Sequence, residues 1–223
     1  MGESMLEIAG FRRERGLLWP AYDTRCAEVT FAETEVNMAM ASAFTDGFSR
    51  RSVIQAGGNC GQLVRELADM FNEVYTFEPD ARNFVALTVN TAEFLHVHRF
   101  QAALDNEPGL GVILGEGDTA HAGRNCGALF VANTGPTRTM RIDDLGLKNC
   151  DLIFLDVEGS ELRALVGGEA TIRASQPTVI FESKGHGTKF FGEDPHAAEK
   201  WLEHVCGYVV ADRTRLDTVM VPR

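Results

Sequence analysis

The sequence contains no apolar run long enough to cross a bilayer, and its first residues, MGESMLEIAGFRRERG, lack the apolar core of a signal peptide. A myristoylation signal is also missing, because Leu6 stands where Ser or Thr is required. The five cysteines, Cys26, Cys60, Cys126, Cys150 and Cys206, form no C-x-x-C pair and are odd in number. That argues against a disulfide framework and a zinc knuckle, and for a reducing, cytoplasmic setting. Positive charge is scarce: 21 Lys and Arg face 32 Asp and Glu, a formal net charge of -11. Such a field repels phosphate backbones and anionic lipid, so neither nucleic acid nor membrane is expected as a partner. Arg12, Arg13 and Arg15, and the pair Arg50 and Arg51, read as solvated faces. There is no internal repeat and no low-complexity segment. The 223 residues, 44% hydrophobic and 24% charged, have the composition of a chain that folds throughout.

What is present is an alternation of short β-rich runs and helical stretches, which predicts a parallel sheet covered by helices. Val53 to Ala56 reads as a first strand, with a helix over Gln62 to Met70 that places Leu63, Leu67 and Met70 on one face. EVYTFE is a second strand. The helix after it opens on Pro79 and Asp80 and turns Phe84, Leu87 and Val89 inward. HVHRFQAAL predicts a third strand, and the Gly- and Asn-rich stretch from Asn106 to Gly135 reads as loops with a short hairpin. CDLIFLDVE is a continuous apolar run, as a strand buried on both faces requires. A helix SELRALVGGEATIRAS starting at Ser160 and a fifth strand QPTVIFES follow. After the helix PHAAEKWLEHV, the runs GYVVADRT and DTVMVPR are close enough to form an antiparallel pair at one sheet edge. A dinucleotide-binding Rossmann domain adds its last strands through helical crossovers instead.

The densest signal is QAGGNCGQ, between the first strand and its helix, with Glu78 ending the next strand. A glycine cluster there lets backbone approach a ligand at a helix N-terminus. An acid at the end of the neighbouring strand is placed to accept from the hydroxyls of a ribose. The stretch reads as a nucleoside pocket: Ala56, Gly57, Gly58, Asn59 and Gly61 form the loop, Glu78 grips the sugar, and Pro79 follows it.

VIQAGGNCGQ, VYTFEPDARNFVALTVN, RIDDLGLKNCDLIFLDVEGSELRALVGG and PTVIFES, in this order and followed by DTVMVPR, resemble the FkbM-type S-adenosylmethionine-dependent methyltransferases. The resemblance covers residues 50–223 and is most specific at FEPD and DVEGSE. It implies a Rossmann-like class I α/β fold, with a seven-stranded, mostly parallel sheet, a C-terminal antiparallel hairpin and helices on both faces. It also implies S-adenosylmethionine as cofactor and methyl transfer to a hydroxyl of a small molecule, sugar or glycan. Asn83 and the segment Gln101 to Leu104, which includes Ala103, are implied to lie near the ribose and adenine. Gln55 stands where the family usually has an acid that contacts the methionine part of the cofactor, and offers a carbonyl acceptor in its place. Residues 1–49 form an extension that packs on this domain and helps to form the acceptor pocket, with Trp19, Pro20 and Tyr22 as candidate walls. Arg12 to Arg50 resembles proteins of this type carried by phages.

Three acids follow the buried strand, at the sheet edge where open α/β folds bind ligands: Asp156, Glu158 and Glu161. A hydroxyl is a poor nucleophile at neutral pH, so methyl transfer to it calls for a base or a metal. Asp156 is the best-placed base and also borders the cofactor. Glu158 lies beside it, and His186, between two glycines after the fifth strand, is a further candidate with Lys184. Asp156 and Glu182, at the ends of adjacent strands, can hold a hard divalent ion such as Mg2+ through oxygen ligands. Glu161 reads as a helix cap. Two other readings remain at this point. An NAD-dependent oxidoreductase also suits AGGNCG with Glu78, against which stand the terminal hairpin and DVEGSE. A nucleoside-binding module without catalysis is suggested by Gln55.

Overall fold

A computed structural model describes residues 10–24, 26–47, 49–109, 111–116, 126–127, 129–183, 189 and 191–223. A hairpin of β1 (Phe11–Glu14) and β2 (Leu17–Pro20) leads into a 20-residue helix, α1 (Cys26–Thr45). The central alternation follows: β3 (Ser52–Ala56), α2 (Gln62–Met70), β4 (Glu73–Phe77), α3 (Ala81–Asn90) and β5 (Val97–Phe100). After a smaller sheet come β10 (Leu152–Leu155), α4 (Glu161–Val166), α5 (Glu169–Ser175), β11 (Thr178–Glu182), α6 (Ala197–Trp201) with a π-helical turn (Leu202–Cys206), β12 (Tyr208–Arg213) and β13 (Asp217–Pro222).

Among the described residues, seven strands form the main sheet in the order β12-β13-β11-β10-β3-β4-β5. β11, β10, β3, β4 and β5 run parallel, and β13 and β12 close one edge antiparallel. This is the expected class I arrangement with its terminal hairpin. From β3 the chain first builds outward through β4 and β5, then returns to place β10 on the other side of β3. That reversal leaves a crevice beyond the C-terminal ends of β3 and β10, where such sheets bind ligands.

The apolar runs of the central strands supply both faces, because side chains alternate along a strand. Val53, Leu152, Phe154 and Ile180 pack on one side with Val64 and Leu67 of α2 and Met40 and Ala41 of α1. Ile54, Ile153, Leu155 and Val179 pack on the other with Leu165 of α4 and Ile172 of α5. A third cluster seats Trp19 against Ala27, Cys60 and Ala86, which ties the N-terminal hairpin to the rest. No helix among the described residues is long and apolar enough to cross a membrane.

Several expectations need correction. The third strand ends at Phe100, and Ala103–Leu104 is a separate strand, β6, paired with β9 (Thr137–Met140). The stretch read as loops with a short hairpin does pair β7 (Gly111–Glu116) antiparallel with β8 (Leu129–Thr134), and beyond that expectation the pair joins β6 and β9 in a four-stranded sheet ordered β6-β9-β7-β8. The helix after Ser160 breaks at Gly167–Gly168, since glycine weakens a helix interior. In α2 the buried apolar residues are Val64, Leu67 and Ala68, whereas Leu63 and Met70 are half-buried. Val89 faces outward at 46% exposure, because α3 turns Ala86 and Leu87 to the core instead.

Candidate active site

The cleft at the sheet reversal encloses about 1170 Å³ counted out to its open mouth. Gln55, Gly57, Gly58 and Asn59 line it from β3 and its loop, Glu78, Pro79 and Asn83 from β4 and α3, and Ala103 and Leu104 from β6. Asp156, Val157, Glu158 and Ser160 line it from the loop after β10. Ala56 and Gly61 are not among the described lining residues.

The amides of the glycine loop are engaged within the fold. Gly57 and Gly58 both donate to the Phe77 carbonyl, at 3.1 and 2.9 Å, and Gly61 donates to the Gly58 carbonyl. The glycines are required by packing. A Cβ on Gly57, whose φ is +84°, would lie 1.9 Å from the Asp156 carbonyl oxygen. On Gly61 it would press on Leu87 and Thr91 of α3, which lets α2 and α3 approach each other. The loops after β3 and β10 therefore touch backbone to backbone.

Glu78 closes the loop from the other side. One carboxylate oxygen accepts from the Asn59 amide at 2.6 Å and the other from the Asp80 amide at 2.8 Å, which leaves each a further lone pair. The residue is 5% exposed, and burial pushes its carboxyl up to about 8 despite those two bonds. Asp80 itself caps α3 by accepting from the Arg82 and Asn83 amides. Asn83 donates to the Cys126 carbonyl at 2.7 Å, and its side-chain oxygen, on the cleft wall, is buried with no partner among the described residues. Gln55 is 1% exposed: its amide nitrogen donates to the Gly57 carbonyl at 2.9 Å and its oxygen accepts from the Thr76 hydroxyl at 2.6 Å. It braces the loop from beneath.

Beyond the ends of β10 and β11, Asp156, Glu158 and Glu182 each bring one carboxylate oxygen within 4.8 Å of the others, and of these Asp156 and Glu158 line the cleft. Glu158 holds φ at 52°, a left-handed conformation uncommon outside glycine. Glu161 accepts from the Gly159 and Val157 amides, which organises the turn into α4, and burial pushes its carboxyl up to about 7. His186 and Lys184 lie outside the described residues.

Cys126 was not foreseen, and the extension of residues 1–49 reaches the cleft through a helix and not through its aromatic candidates. Cys126 joins three parts of the site: its amide donates to Asp23, its carbonyl accepts from Asn83, and its thiol lies 3.3 Å from the Asn59 side-chain oxygen and 3.9 Å from the Cys60 sulfur. It fell in the stretch read as loops. Helix α1 also lines the cleft, through Val29, Thr30, Glu33, Thr34 and Asn37. The spacing of its polar residues was the available signal. Of the aromatic candidates, Trp19 is fully buried in core, Tyr22 packs at its edge, and neither they nor Pro20 are among the described lining residues.

A nucleoside-sized cleft at the reversal, with an acid closing a glycine loop, is shared by several α/β families, and the whole-domain pattern separates them. A methyltransferase FkbM domain matches residues 57–210. The chain belongs to the FkbM methyltransferase family. Family membership supports S-adenosylmethionine-dependent methylation, and the fold is one found among solved methyltransferases. Among solved structures, a protein assigned as a caffeoyl-CoA O-methyltransferase from Staphylococcus aureus is 13% identical, with 90% of this chain and 93% of that one covered, at a TM-score of 0.52. The FkbM methyltransferase from Methylobacillus flagellatus KT is 20% identical over 79% of this chain, at a TM-score of 0.49. The match covers 45% of the Methylobacillus protein, so the present chain spans less than half of that length. The magnesium protoporphyrin IX methyltransferase from Synechocystis PCC 6803, solved with bound S-adenosylhomocysteine, is 14% identical, with 86% of this chain and 82% of that one covered, at a TM-score of 0.47. No curated protein matches the chain.

Proposed function

We propose that this FkbM-family protein methylates a hydroxyl oxygen of a small molecule, sugar or glycan in the cytoplasm. The observation that carries the reading is the meeting, in one cleft, of the Glu78-closed loop and the Asp156–Glu158 turn. In this reading the ribose hydroxyls donate to the remaining lone pairs of Glu78. Pro79, Asn83 and Ala103 flank the base, and the unpartnered Asn83 oxygen suits the amino group of adenine. Gly57, Gly58 and Asn59 permit close approach, and Gln55 supports them. The cofactor supplies an electrophilic methyl group on a sulfonium.

Asp156 takes the proton of the acceptor hydroxyl as the new O–CH3 bond forms. The electron pair of the breaking C–S bond goes to sulfur and leaves S-adenosylhomocysteine. Glu158 orients the acceptor at the same edge. Asp156, Glu158 and Glu182 would be the residues to hold a hard divalent ion such as Mg2+ through carboxylate oxygens. Such an ion would lower the pKa of the bound hydroxyl. The net charge of -11 favours a small or glycan acceptor over nucleic acid.

Asp156→Asn is expected to keep S-adenosylhomocysteine affinity within about threefold while turnover falls by roughly 10²–10⁴, the usual contribution of a general base. Calorimetry and a methyl-transfer assay on one preparation separate the two. Turnover at the wild-type level would remove Asp156 from its role. Chelation with EDTA is expected to abolish turnover, and its restoration by Mg2+ alone would support the ion; unchanged turnover would rule the ion out.

A further inference from the structure

The spacing of the five cysteines suggests no disulfide framework, yet the fold brings two of them together. Cys60, in the loop after β3, and Cys126, 66 residues further on, hold their sulfur atoms 3.9 Å apart. Both residues are 1% exposed. Two thiols in contact within a core are ordinary packing, and what sets this pair apart is the place of Cys126. It lines the cleft, so a small solute that enters the cleft reaches it, whereas Cys60 lies behind it in the cluster of Trp19 and Ala86.

The two cysteines are anchored to different things. The Cys60 carbonyl accepts from Asn90 at 2.7 Å, and the same amide group donates to the Leu18 carbonyl, which fixes Cys60 to α3 and the N-terminal hairpin. Cys126 is bonded to the cleft wall: its carbonyl accepts from Asn83 at 2.7 Å and its thiol donates to the Asn59 side-chain oxygen at 3.3 Å. Asn59 and Asn83 both line the cleft, and the Asn59 amide is the one that Glu78 holds.

A disulfide sets its sulfurs about 2.05 Å apart. Closing the pair would draw the sulfurs together and remove the proton that Cys126 donates to Asn59, so the change falls on the two asparagines of the cleft wall.

We infer that Cys60 and Cys126 form a redox-modification site, which a hydroperoxide closes to a reversible disulfide at the cost of cofactor affinity. The effect on the cofactor rests on the methyltransferase reading of the cleft; formation of the bond does not. With hydrogen peroxide, the Cys126 sulfur attacks one oxygen, an S–O bond forms, the O–O bond breaks, and the leaving hydroxide takes the thiol proton as water. The Cys60 sulfur then attacks the Cys126 sulfenic acid, an S–S bond forms, the S–O bond breaks, and the departing hydroxide leaves with the Cys60 proton as a second water. Two electrons pass from the sulfurs to the peroxide. A thiol such as dithiothreitol returns them by exchange.

The test treats the full chain with hydrogen peroxide, blocks remaining thiols with N-ethylmaleimide and maps the products by peptide mass spectrometry, with calorimetry on the same preparation. The expected product is a Cys60–Cys126 cross-link lighter by two hydrogen atoms, with S-adenosylhomocysteine affinity lowered tenfold or more and both changes reversed by dithiothreitol. Bound S-adenosylhomocysteine is expected to slow the cross-link at least fivefold, because it would cover Cys126. In Cys60→Ser no cross-link forms and dimedone traps the sulfenic acid on Cys126, whereas Cys206→Ser, away from the cleft, keeps the cross-link. The wild-type mapping needs no variant to fold. Cross-links among other cysteines, or sulfinic and sulfonic acids at Cys126 in place of a cross-link, would overturn the site. A cross-linked protein that binds S-adenosylhomocysteine within twofold of the reduced one would overturn its effect on the cofactor. Failure of the untreated protein to bind S-adenosylhomocysteine would count against the cofactor reading instead, and would leave the cross-link as the measure of the site.

Discussion

Glu78→Ala is expected to weaken S-adenosylhomocysteine binding by a hundredfold or more. Each charge-assisted hydrogen bond to a carboxylate is worth about 1.5–3 kcal/mol, and two ribose hydroxyls would be lost together. The carboxylate also holds the Asn59 and Asp80 amides, so its removal frees the loop that the cofactor must meet. Calorimetry on the variant, with circular dichroism to show that the fold persists, makes the measurement. Affinity within threefold of wild type would place the ribose elsewhere.

The same residue predicts a pH dependence of defined sign. Glu78 titrates near 4.5 in the unfolded chain and about 8 in the folded, unliganded protein, chiefly because burial disfavours its charge. The folded state therefore holds the extra proton between those values. The stability this proton contributes is full below about 4.5 and is lost as pH rises through about 8. In the proposed reading the ribose hydroxyls donate to the ionised form, so ligand binding at pH 7 would expel a proton. Affinity for S-adenosylhomocysteine is expected to rise from pH 6 to pH 8, by at most about tenfold per unit, and to level off above. The binding enthalpy at pH 7 should also vary with the ionisation enthalpy of the buffer. An affinity that stays flat from pH 6 to pH 9 would show that the carboxylate does not meet the ligand in this way.

The second large effect is expected from Gly57→Ala. The added methyl would stand 1.9 Å from the Asp156 carbonyl oxygen, and backbone on both sides cannot yield as a flexible side chain can. The φ of +84° adds a conformational penalty. Together these place the variant among severely destabilising core changes, at roughly 3–5 kcal/mol. For a chain of this length that corresponds to a fall in Tm of about 10 °C or more. Gly109→Ala is the control, because φ there is +81° but nothing lies within 4 Å. Its cost should be confined to about 1 kcal/mol. Equal shifts in the two variants would mean that the loops after β3 and β10 part easily.

The main sheet was legible because buried parallel strands write themselves as unbroken apolar runs, and LIFL and TVIFE could hardly be anything else. The positions of Glu78 and Asp156 followed from the rule that such sheets bind at their C-terminal edge. What escaped was written in other terms. Helix α1 was missed because part of its inner surface is polar: Thr30, Glu33 and Asn37 face a cleft, so the hydrophobic periodicity that announces a helix is diluted. The short hairpin of β7 and β8 was expected, but its union with β6 and β9 in a second sheet was not, because Gly and Asn in the stretch look like loops. The glycine loop was located correctly, but its amides serve Phe77 and Glu78 and its glycines serve close packing, a distinction that only the partner strands make visible.

Contact between Gly57 and Asp156 makes the two ligand loops one mechanical unit. In the proposed reading, a cofactor that shifts the first loop would alter the position from which the second meets an acceptor, which would link their binding free energies. Linkage is reciprocal: any factor by which S-adenosylhomocysteine tightens the acceptor is the factor by which the acceptor tightens S-adenosylhomocysteine. An acceptor that fits well would therefore hold the spent cofactor in place, and product departure would govern the pace of turnover on good substrates more than on poor ones.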